Sequence, residues 1–173
     1  MLRWARAAEL LSETGRWPQR VRQRHDEAVQ INRWRVKRVV NWVNLTTPLG
    51  LLIARLGQAA VGEGERGLLV GVGYRLRFPV APAFTVGNVI ISPHDPDWLA
   101  ERPRLLKHEE RHTWQYLACI GLPMLPLYGL AALWSYARCG QPGLHNPFEQ
   151  LAGLADGGYV KDGSAQPSRD PQD

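Results

Sequence analysis

Apolar and polar residues alternate with a helical period in the first quarter of the chain. Between Arg20 and Asn44, apolar residues recur on one face and basic residues fill the opposite face, which predicts a long amphipathic helix. A shorter amphipathic helix is predicted over Leu2–Leu11. Residues 39–54 carry no charged side chain, and Pro48 indicates a turn followed by another helix over Leu49–Ala59.

The pattern changes to β type over residues 67–92, after a predicted loop at Gly62–Gly67. Short runs rich in Val, Ile, Phe and Tyr, bounded by Gly and Pro, are typical of strands. Three strands are predicted, over Leu68–Val72, Tyr74–Phe78 and Phe84–Ile91.

Helical periodicity returns after residue 92. Asp95 or Asp97 is suited to cap a short helix near Trp98, and Pro103 marks the start of another helix. This second helix contains Leu105–Leu117, in which the letters KHEERH interrupt an otherwise apolar pattern.

Residues 113–137 form a second stretch without formal charge. It is long enough to span a bilayer, but Pro123 and Pro126 argue against one continuous helix. We expect a hairpin, in which the preceding helix ends, a turn follows, and a helix returns over Leu127–Arg138. Two interpretations stay open: the hairpin is buried in the core, or it contacts a membrane.

These elements predict an α+β fold, mostly helical, with a small antiparallel sheet before the helix that contains Leu105–Leu117. The 173 residues, 45% apolar and 21% charged, suit one globular core. We expect basic amphipathic helices over residues 1–43, the main domain over residues 44–159, and a disordered polar tail over residues 160–173.

The net charge of +5 is concentrated near the start, because residues 1–40 contain ten Lys or Arg and four Asp or Glu. A basic amphipathic helix with tryptophans suits an anionic membrane surface, although a solvated outer face is the simpler interpretation. No nucleic-acid-binding motif accompanies it, so specific nucleic-acid binding is not expected. Charges interrupt residues 1–16, so no signal peptide is predicted, and we expect a cytoplasmic protein, with peripheral membrane association as the alternative.

Candidate chemistry lies in the HExxH pentapeptide formed by His108, Glu109 and His112. Residues i and i+4 share a helix face, so both imidazoles can reach one metal ion. The carboxylate of Glu109 can reach a water on that ion, which is the ligand and base arrangement of a zinc hydrolase. The alternative is a pair of solvated histidines on a polar face, but polar groups in an apolar segment need partners.

A catalytic zinc site needs a third protein ligand, for which His145 and Glu149 are the main candidates. Asn146 suits an N-cap and Pro147 a first helical turn, which places Glu149 on a helix with the small Ala152 one turn later. Glu149 is favoured over His145 because a ligand on a helix is better held. A glutamate that only favours the helix dipole is the alternative.

HExxH followed by a distant Glu in an ExxA context resembles the gluzincin class of zinc metallopeptidases. A closer resemblance, over roughly Asn44–Tyr159, is to small uncharacterised bacterial HExxH proteins. The segments that carry it are Asn44–Gly50, Ala83–Val89, His108–Gln115, Gly121–Pro123, Leu127–Tyr128, Asn146–Glu149 and Gly157–Gly158.

This resemblance implies a zincin-like metal-binding domain over residues 44–159. It also implies that Phe84–Ile91 presents a strand edge to an extended substrate. The chain departs from well-studied gluzincins in its small size, and Asp156 is its one candidate for the acidic residue that follows the distal Glu.

The predicted function is a zinc-dependent metallopeptidase that acts on a peptide or protein substrate. In this hypothesis, Zn²⁺ is held by His108, His112 and Glu149, and Glu109 is the general base. Tyr159 or His145 would donate a hydrogen bond to the oxyanion. The alternative is a non-enzymatic membrane- or partner-binding protein whose HExxH metal site is structural or vestigial.

Overall fold

Helices outnumber strands over residues 32–159, the part of the chain that the computed structural model describes. The α+β, mostly helical fold class is therefore confirmed. The elements in chain order are α1 (Asn32–Val43), α2 (Thr46–Leu56), β1 (Ala60–Glu63), a 3-10 turn (Glu65–Gly67), β2 (Leu69–Val72), β3 (Phe84–Val86), β4 (Val89–Ile91), α3 (Pro96–Ala100), α4 (Pro103–Ala118), α5 (Met124–Cys139) and α6 (Pro147–Ala152).

The chain divides into two compact units, Met1–Val36 and Lys37–Asp173. The site and the surfaces discussed below belong to the second unit. The helix predicted over Leu2–Leu11, the first part of the long amphipathic helix and the polar tail lie outside the described residues. The predicted division into residues 1–43, 44–159 and 160–173 stays a prediction.

The sheet has four strands in the order β1-β2-β4-β3 and is mixed. Strands β1 and β2 are antiparallel, as are β3 and β4, but β2 and β4 are parallel. The prediction of an antiparallel sheet is therefore confirmed for the two outer pairs and wrong for the central pair. The long connection between β2 and β3 returns the chain to the far edge, so β4 enters beside β2 in the same direction.

The segment predicted as one strand, Phe84–Ile91, is a tight hairpin of β3 and β4. Val86 pairs with Val89, and Gly87 and Asn88 form the turn. Gly87 has φ 63°, and a Cβ on it would lie 2.4 Å from the amide nitrogen of Thr47. Both the turn and the close approach of the α2 backbone thus require glycine.

Two further strand predictions are corrected. Tyr74–Phe78 forms no strand, because Arg75 donates its backbone N–H to Gly57 at the end of α2 and the Tyr74 ring packs on that glycine. Conversely, part of the predicted loop Gly62–Gly67 belongs to β1, which pairs with β2. All four residues of β1 are exposed, so no apolar alternation marked it as a strand.

Helices α2 and α4 pack on the two faces of the sheet. Val89 and Ile91 contact Ala54 of α2, whereas Ile90 points to the other face and lies in a cluster with Leu105 of α4. This alternation is the two-residue period of a central strand covered on both sides. The contact between Ile90 and Leu105 holds α4 against this face of the sheet.

Helix α5 is much less buried than a core helix. Of its sixteen residues, only Met124 and Ser135 are buried, so the core interpretation of the charge-free hairpin does not hold for most of α5. Among the described residues, no single helix is long and apolar enough to cross a membrane. Helices α1 and α2 pass that test only together, as a pair bent by 71°.

Candidate metal centre

Helix α4 buries a polar face. Pro103 starts the helix at its first turn, and Leu105 and Tyr116 anchor it in the apolar clusters. His108, Glu109 and His112 lie between these anchors and are 3%, 3% and 7% exposed. Buried polar side chains require partners, which for these residues come from α6, β3 and the chain after α6.

Helix α6 supplies Glu149, the third side chain of the candidate metal-binding group. The Asn146 side chain accepts the backbone N–H of Phe148 at 3.0 Å, and Pro147 takes the first turn, as the sequence predicts. Ala152 is completely buried, and α6 packs directly on α4. Glu149, 2% exposed, is thereby directed at the two histidines.

The potential ligand atoms of His108, His112 and Glu149 lie within 4.8 Å of one another. The Nε2 atoms of the two histidines are 3.1 Å apart. Glu149 Oε2 lies 3.1 Å from His108 Nε2, and Oε1 lies 3.5 Å from His112 Nε2. Tetrahedral zinc with bonds near 2.05 Å separates its ligand atoms by about 3.3 Å. The two nitrogens, and each nitrogen with its nearer oxygen of Glu149, are therefore separated by distances close to those between ligands of one zinc ion.

In each histidine, the ring nitrogen that faces away from the ligand group, Nδ1, has an oxygen partner. His108 Nδ1 lies 3.1 Å from the carbonyl of Gly153, and His112 Nδ1 lies 2.8 Å from Oε1 of Gln115. The amide of Gln115 is oriented because its Nε2 donates to the Phe148 carbonyl at 2.8 Å. Both Nδ1 atoms are therefore assigned as donors to these oxygens, and it is the Nε2 atoms that face Glu149 and could bind a cation.

The carboxylate of Glu149 is only partly satisfied. Tyr128 on α5 donates its hydroxyl to Oε1, whereas the buried Oε2 has no hydrogen-bond partner. Burial alone would raise the pKa of Glu149, but His108, His112 and Tyr128 outweigh it and hold the pKa below its ordinary value. Glu149 is therefore an anionic donor with a free oxygen, which suits a metal ligand.

Glu109 lies beside this group and points to the sheet. The hydroxyl of Thr85 on β3 lies 2.7 Å from Glu109 Oε2, so it orients the carboxylate. Burial raises the pKa of Glu109 above its ordinary value, although the nearby histidines and Thr85 oppose the shift. The Thr85 carbonyl accepts the hydroxyl of Tyr116 at 3.2 Å, so this part of the β3 edge is already occupied.

The chain after α6 covers the histidines. A Cβ on Gly157 would lie 2.6 Å from the His108 ring, so only glycine fits there, and the Tyr159 ring centroid is 6.4 Å from that of His108. Asp156 fastens this segment to α4, 2.7 Å from Arg111 and 3.0 Å from Arg104. We call residues 153–159 the covering segment.

The other sequence-predicted residues lie apart from the three ligands. His145 packs near Trp134 rather than in the ligand group, so of the two candidates it is Glu149 that joins the histidines. Asp156 binds arginines and not a ligand histidine, whose partners are Gly153 and Gln115.

Sequence reasoning assigned no role to three residues of the site. Gln115 could have been found because it follows His112 by three residues on the same helix face. Thr85 and Tyr128 come from distant elements; both lie in segments that carry the resemblance, but no local pattern assigns them a role.

Polar side chains also hold α4 from the side of α1. Lys37 is completely buried and its Nζ donates to Thr113 Oγ1 at 2.9 Å. Asn41 donates to the Thr113 carbonyl and to Asn88 Oδ1, both at 3.0 Å. These bonds fix the position and rotation of α4 at the residue that follows His112.

Comparisons with known proteins add no identity: no protein-family model, no curated protein and no solved structure matches this chain. The chemistry of the site therefore has to be argued from its own geometry. Two imidazoles whose Nε2 atoms face each other and a buried carboxylate form a donor set that could hold a metal ion.

Proposed function

We propose that the protein is a zinc-dependent hydrolase of peptide bonds. The single observation that supports this most strongly is the side-by-side placement of two functions on α4. His108 and His112 converge with Glu149, while Glu109 places a second, differently held carboxylate next to them. A purely structural metal site has no need of an adjacent base.

Two nitrogens and one oxygen are a donor set that zinc binds readily, with a position left over for water. Bound there, Zn²⁺ would supply a Lewis acid and lower the pKa of water toward neutrality. The partner oxygens of the two histidines, on Gly153 and Gln115, keep both imidazoles in the tautomer that this requires.

Glu109 acts in this proposal as general base. Its raised pKa brings it closer to the neutral range in which a carboxylate can both accept and return a proton. Glu109 takes a proton from the attacking water and transfers it to the leaving amine. Thr85 holds the carboxylate in place through Oε2, which leaves Oε1 for the reacting water.

A tyrosine supplies the hydrogen bond to the developing oxyanion. Burial, followed by the charge of Glu149, raises the pKa of Tyr159 to about 12, so its phenol is protonated at neutral pH and can donate. Tyr128 is also protonated and donates its hydroxyl to Glu149, and the hydroxyl of Tyr159 interacts with Tyr128 and Glu149 in turn. Tyr159 is assigned the oxyanion role because it lies in the covering segment beside His108, whereas Tyr128 is the direct partner of the ligand Glu149.

A structural metal site is the second candidate function, and burial favours it. The three ligands are between 2% and 7% exposed, and the covering segment lies directly on His108. For hydrolysis, this segment must move to admit a polypeptide. For a structural site, it only has to stay in place.

The test compares Glu109→Gln with Glu110→Gln. Glu110 is the adjacent residue but binds Arg66 at 3.0 Å, away from the ligands, so it is a matched control. Purified protein is loaded with Zn²⁺, its metal content is measured, and hydrolysis of fluorescein-labelled casein is followed. We expect all three proteins to retain zinc, and Glu109→Gln alone to lose activity by about a hundredfold or more.

Two results would contradict the proposed hydrolase. Wild-type protein that binds zinc without cleaving casein or a mixed peptide library, and that loses its cooperative unfolding transition on chelation, would have a structural site. Equal loss of activity in both variants would contradict a specific role for Glu109.

A further inference from the structure

Two uncharged stretches of the chain form helix–turn–helix units. Residues 39–54 comprise the end of α1, the turn at Asn44–Leu45 and most of α2; residues 113–137 comprise the end of α4, the turn at Cys119–Pro123 and α5. Neither stretch contains Asp, Glu, Lys or Arg. They are separated by more than fifty residues of sequence that contain many charges.

The fold brings these two stretches together at their turns. The backbone of Gly121 lies so close to Asn44 that a Cβ would be 2.6 Å from its side-chain carbon. Just behind the turns, Leu49 of α2 and Met124 of α5 pack in the same apolar cluster. Two uncharged segments that are distant in sequence therefore form one neighbouring surface.

Apolar side chains project from this surface into solvent. Ile120 is 81% exposed and Leu45 is 59% exposed, and they lie at the two turns. Most of α5 is exposed, and its exposed residues Leu127, Leu130 and Leu133 or Trp134 are spaced three to four positions apart, as on one helix face. We call the whole set the charge-free face: Val43, Leu45, Ile120, Leu122, Leu127, Leu130, Leu133 and Trp134.

Both turns place an apolar residue where the backbone favours glycine or asparagine. Leu45 has φ 68° and Ile120 has φ 57°, in the left-handed region that a β-branched residue such as isoleucine rarely adopts. Asparagine would fit the same backbone better and would be more soluble. An exposed leucine and an exposed isoleucine at such positions cost stability and solubility, which an interaction of these side chains would offset.

The positive charge near this surface favours an anionic lipid surface as the partner. Arg38 is exposed and lies five residues before the end of α1. At the rise of an α-helix, this is about 7 Å from the turn at Asn44–Leu45. The sequence leading to it is basic, with ten Lys or Arg against four Asp or Glu in residues 1–40. An interfacial element buries its apolar side about 5–10 Å deep and keeps basic residues at the headgroups.

We propose that the charge-free face inserts into the surface of an anionic phospholipid bilayer. The two turns enter the boundary between headgroups and acyl chains, and Trp134 lies at that boundary, where indole rings are favoured. Arg38, which precedes the turn at Asn44–Leu45, meets the anionic headgroups. This inference does not depend on whether the metal centre is catalytic.

The test is co-flotation of the full chain with phosphatidylcholine vesicles that contain or lack about one third phosphatidylserine. We expect wild-type protein to float with the anionic vesicles and less with the neutral ones. The double variant Leu45→Asn and Ile120→Asn should bind roughly tenfold more weakly or worse. Its thermal stability should be unchanged or higher, since asparagine tolerates positive φ.

Val80→Asn is the matched control. Val80 is 94% exposed, but it lies beyond Tyr74, which packs at the opposite end of α2. Its vesicle binding should equal that of the wild type. If the turn variants unfold, Leu130→Gln with Leu133→Gln on the outer face of α5 makes the same test on a regular helix.

Three results would overturn the proposal. In the first, wild-type protein does not float with anionic vesicles. In the second, the turn and α5 variants fold and float as well as the wild type, and in the third, Val80→Asn loses as much vesicle binding as they do. Self-association of wild-type protein without vesicles, abolished by the turn variants and unaccompanied by flotation, would instead identify the charge-free face as a contact between copies of this chain.

Discussion

Lys37 is a buried cation that should make stability depend on pH in a direction opposite to that of a surface ion pair. Burial lowers its pKa from 10.5 to about 8, with Glu110 opposing the shift and Arg66 adding to it. Lys37 is 0% exposed, and its Nζ binds the Thr113 hydroxyl and lies 5.1 Å from the centroid of the Trp114 ring. None of these partners is anionic, so burying the ammonium costs free energy.

The sign follows from proton binding. Between pH 8 and pH 10.5 the unfolded chain keeps the proton on Lys37 while the folded protein releases it, so stability rises with pH across this window. A shift of this size corresponds to about 3 kcal/mol in total. About 2 kcal/mol of that falls between about pH 7 and about pH 9.5. Higher pH is avoided because Tyr116 and Tyr159 have raised pKa values, which oppose the effect once unfolded tyrosine ionises.

The assay is urea unfolding followed by tryptophan fluorescence, at half-unit pH steps and constant zinc, for wild-type protein and Lys37→Met. Methionine keeps the unbranched chain without the charge, and Thr113 still donates to the Glu110 carbonyl at 2.7 Å. The wild-type free energy of unfolding should rise by about 2 kcal/mol over this range, and that of the variant should stay nearly level. Parallel pH profiles in the two proteins would refute the reasoning.

Two predictions concern the surroundings of the metal centre. Gln115→Leu removes the partner of His112 Nδ1 and should weaken zinc binding by about tenfold to a hundredfold in competition with a chromophoric chelator. Gln150→Leu is the control, because that amide bonds only to the Leu144 carbonyl at 3.2 Å among the described contacts, and an equal effect would contradict the role of Gln115. Asp156→Asn weakens the link between the covering segment and α4, so EDTA should remove zinc several-fold faster than from wild type, while Glu101→Gln should not change the rate.

The sequence was most informative where local chemistry decides the structure. The HExxH helix, the restart at Pro103 and the cap at Asn146 were all predicted, because prolines, caps and helical spacing act within a few residues. The convergence of Glu149 with the histidines was also predicted. That prediction came from the need for a third ligand and from the helical context of Glu149, since nothing in the spacing of residues 112 and 149 determines how α6 packs on α4.

Other features depend on long-range contacts that no local pattern carries. Strand β1 is exposed at every position and exists because β2 pairs with it. Tyr74–Phe78 has strand composition but is captured by the end of α2 instead. The uncharged stretches were visible in the sequence, but the contact of Gly121 with Asn44, which joins them into one face, was not.

The electrostatics of α4 make a strong argument for a bound cation. Glu109 and Glu149 are both nearly inaccessible to solvent, and the side chains closest to them are two imidazoles whose outer nitrogens hold the proton. Burying two carboxylates a few ångströms from neutral rings is expensive unless a positive charge lies among them. A divalent ion at the Nε2 atoms and the unpartnered Glu149 oxygen would balance both negative charges. Without it, a proton has to supply the positive charge: burial lowers the pKa of His108, but Glu149 and Glu109 outweigh it and raise that pKa above its ordinary value.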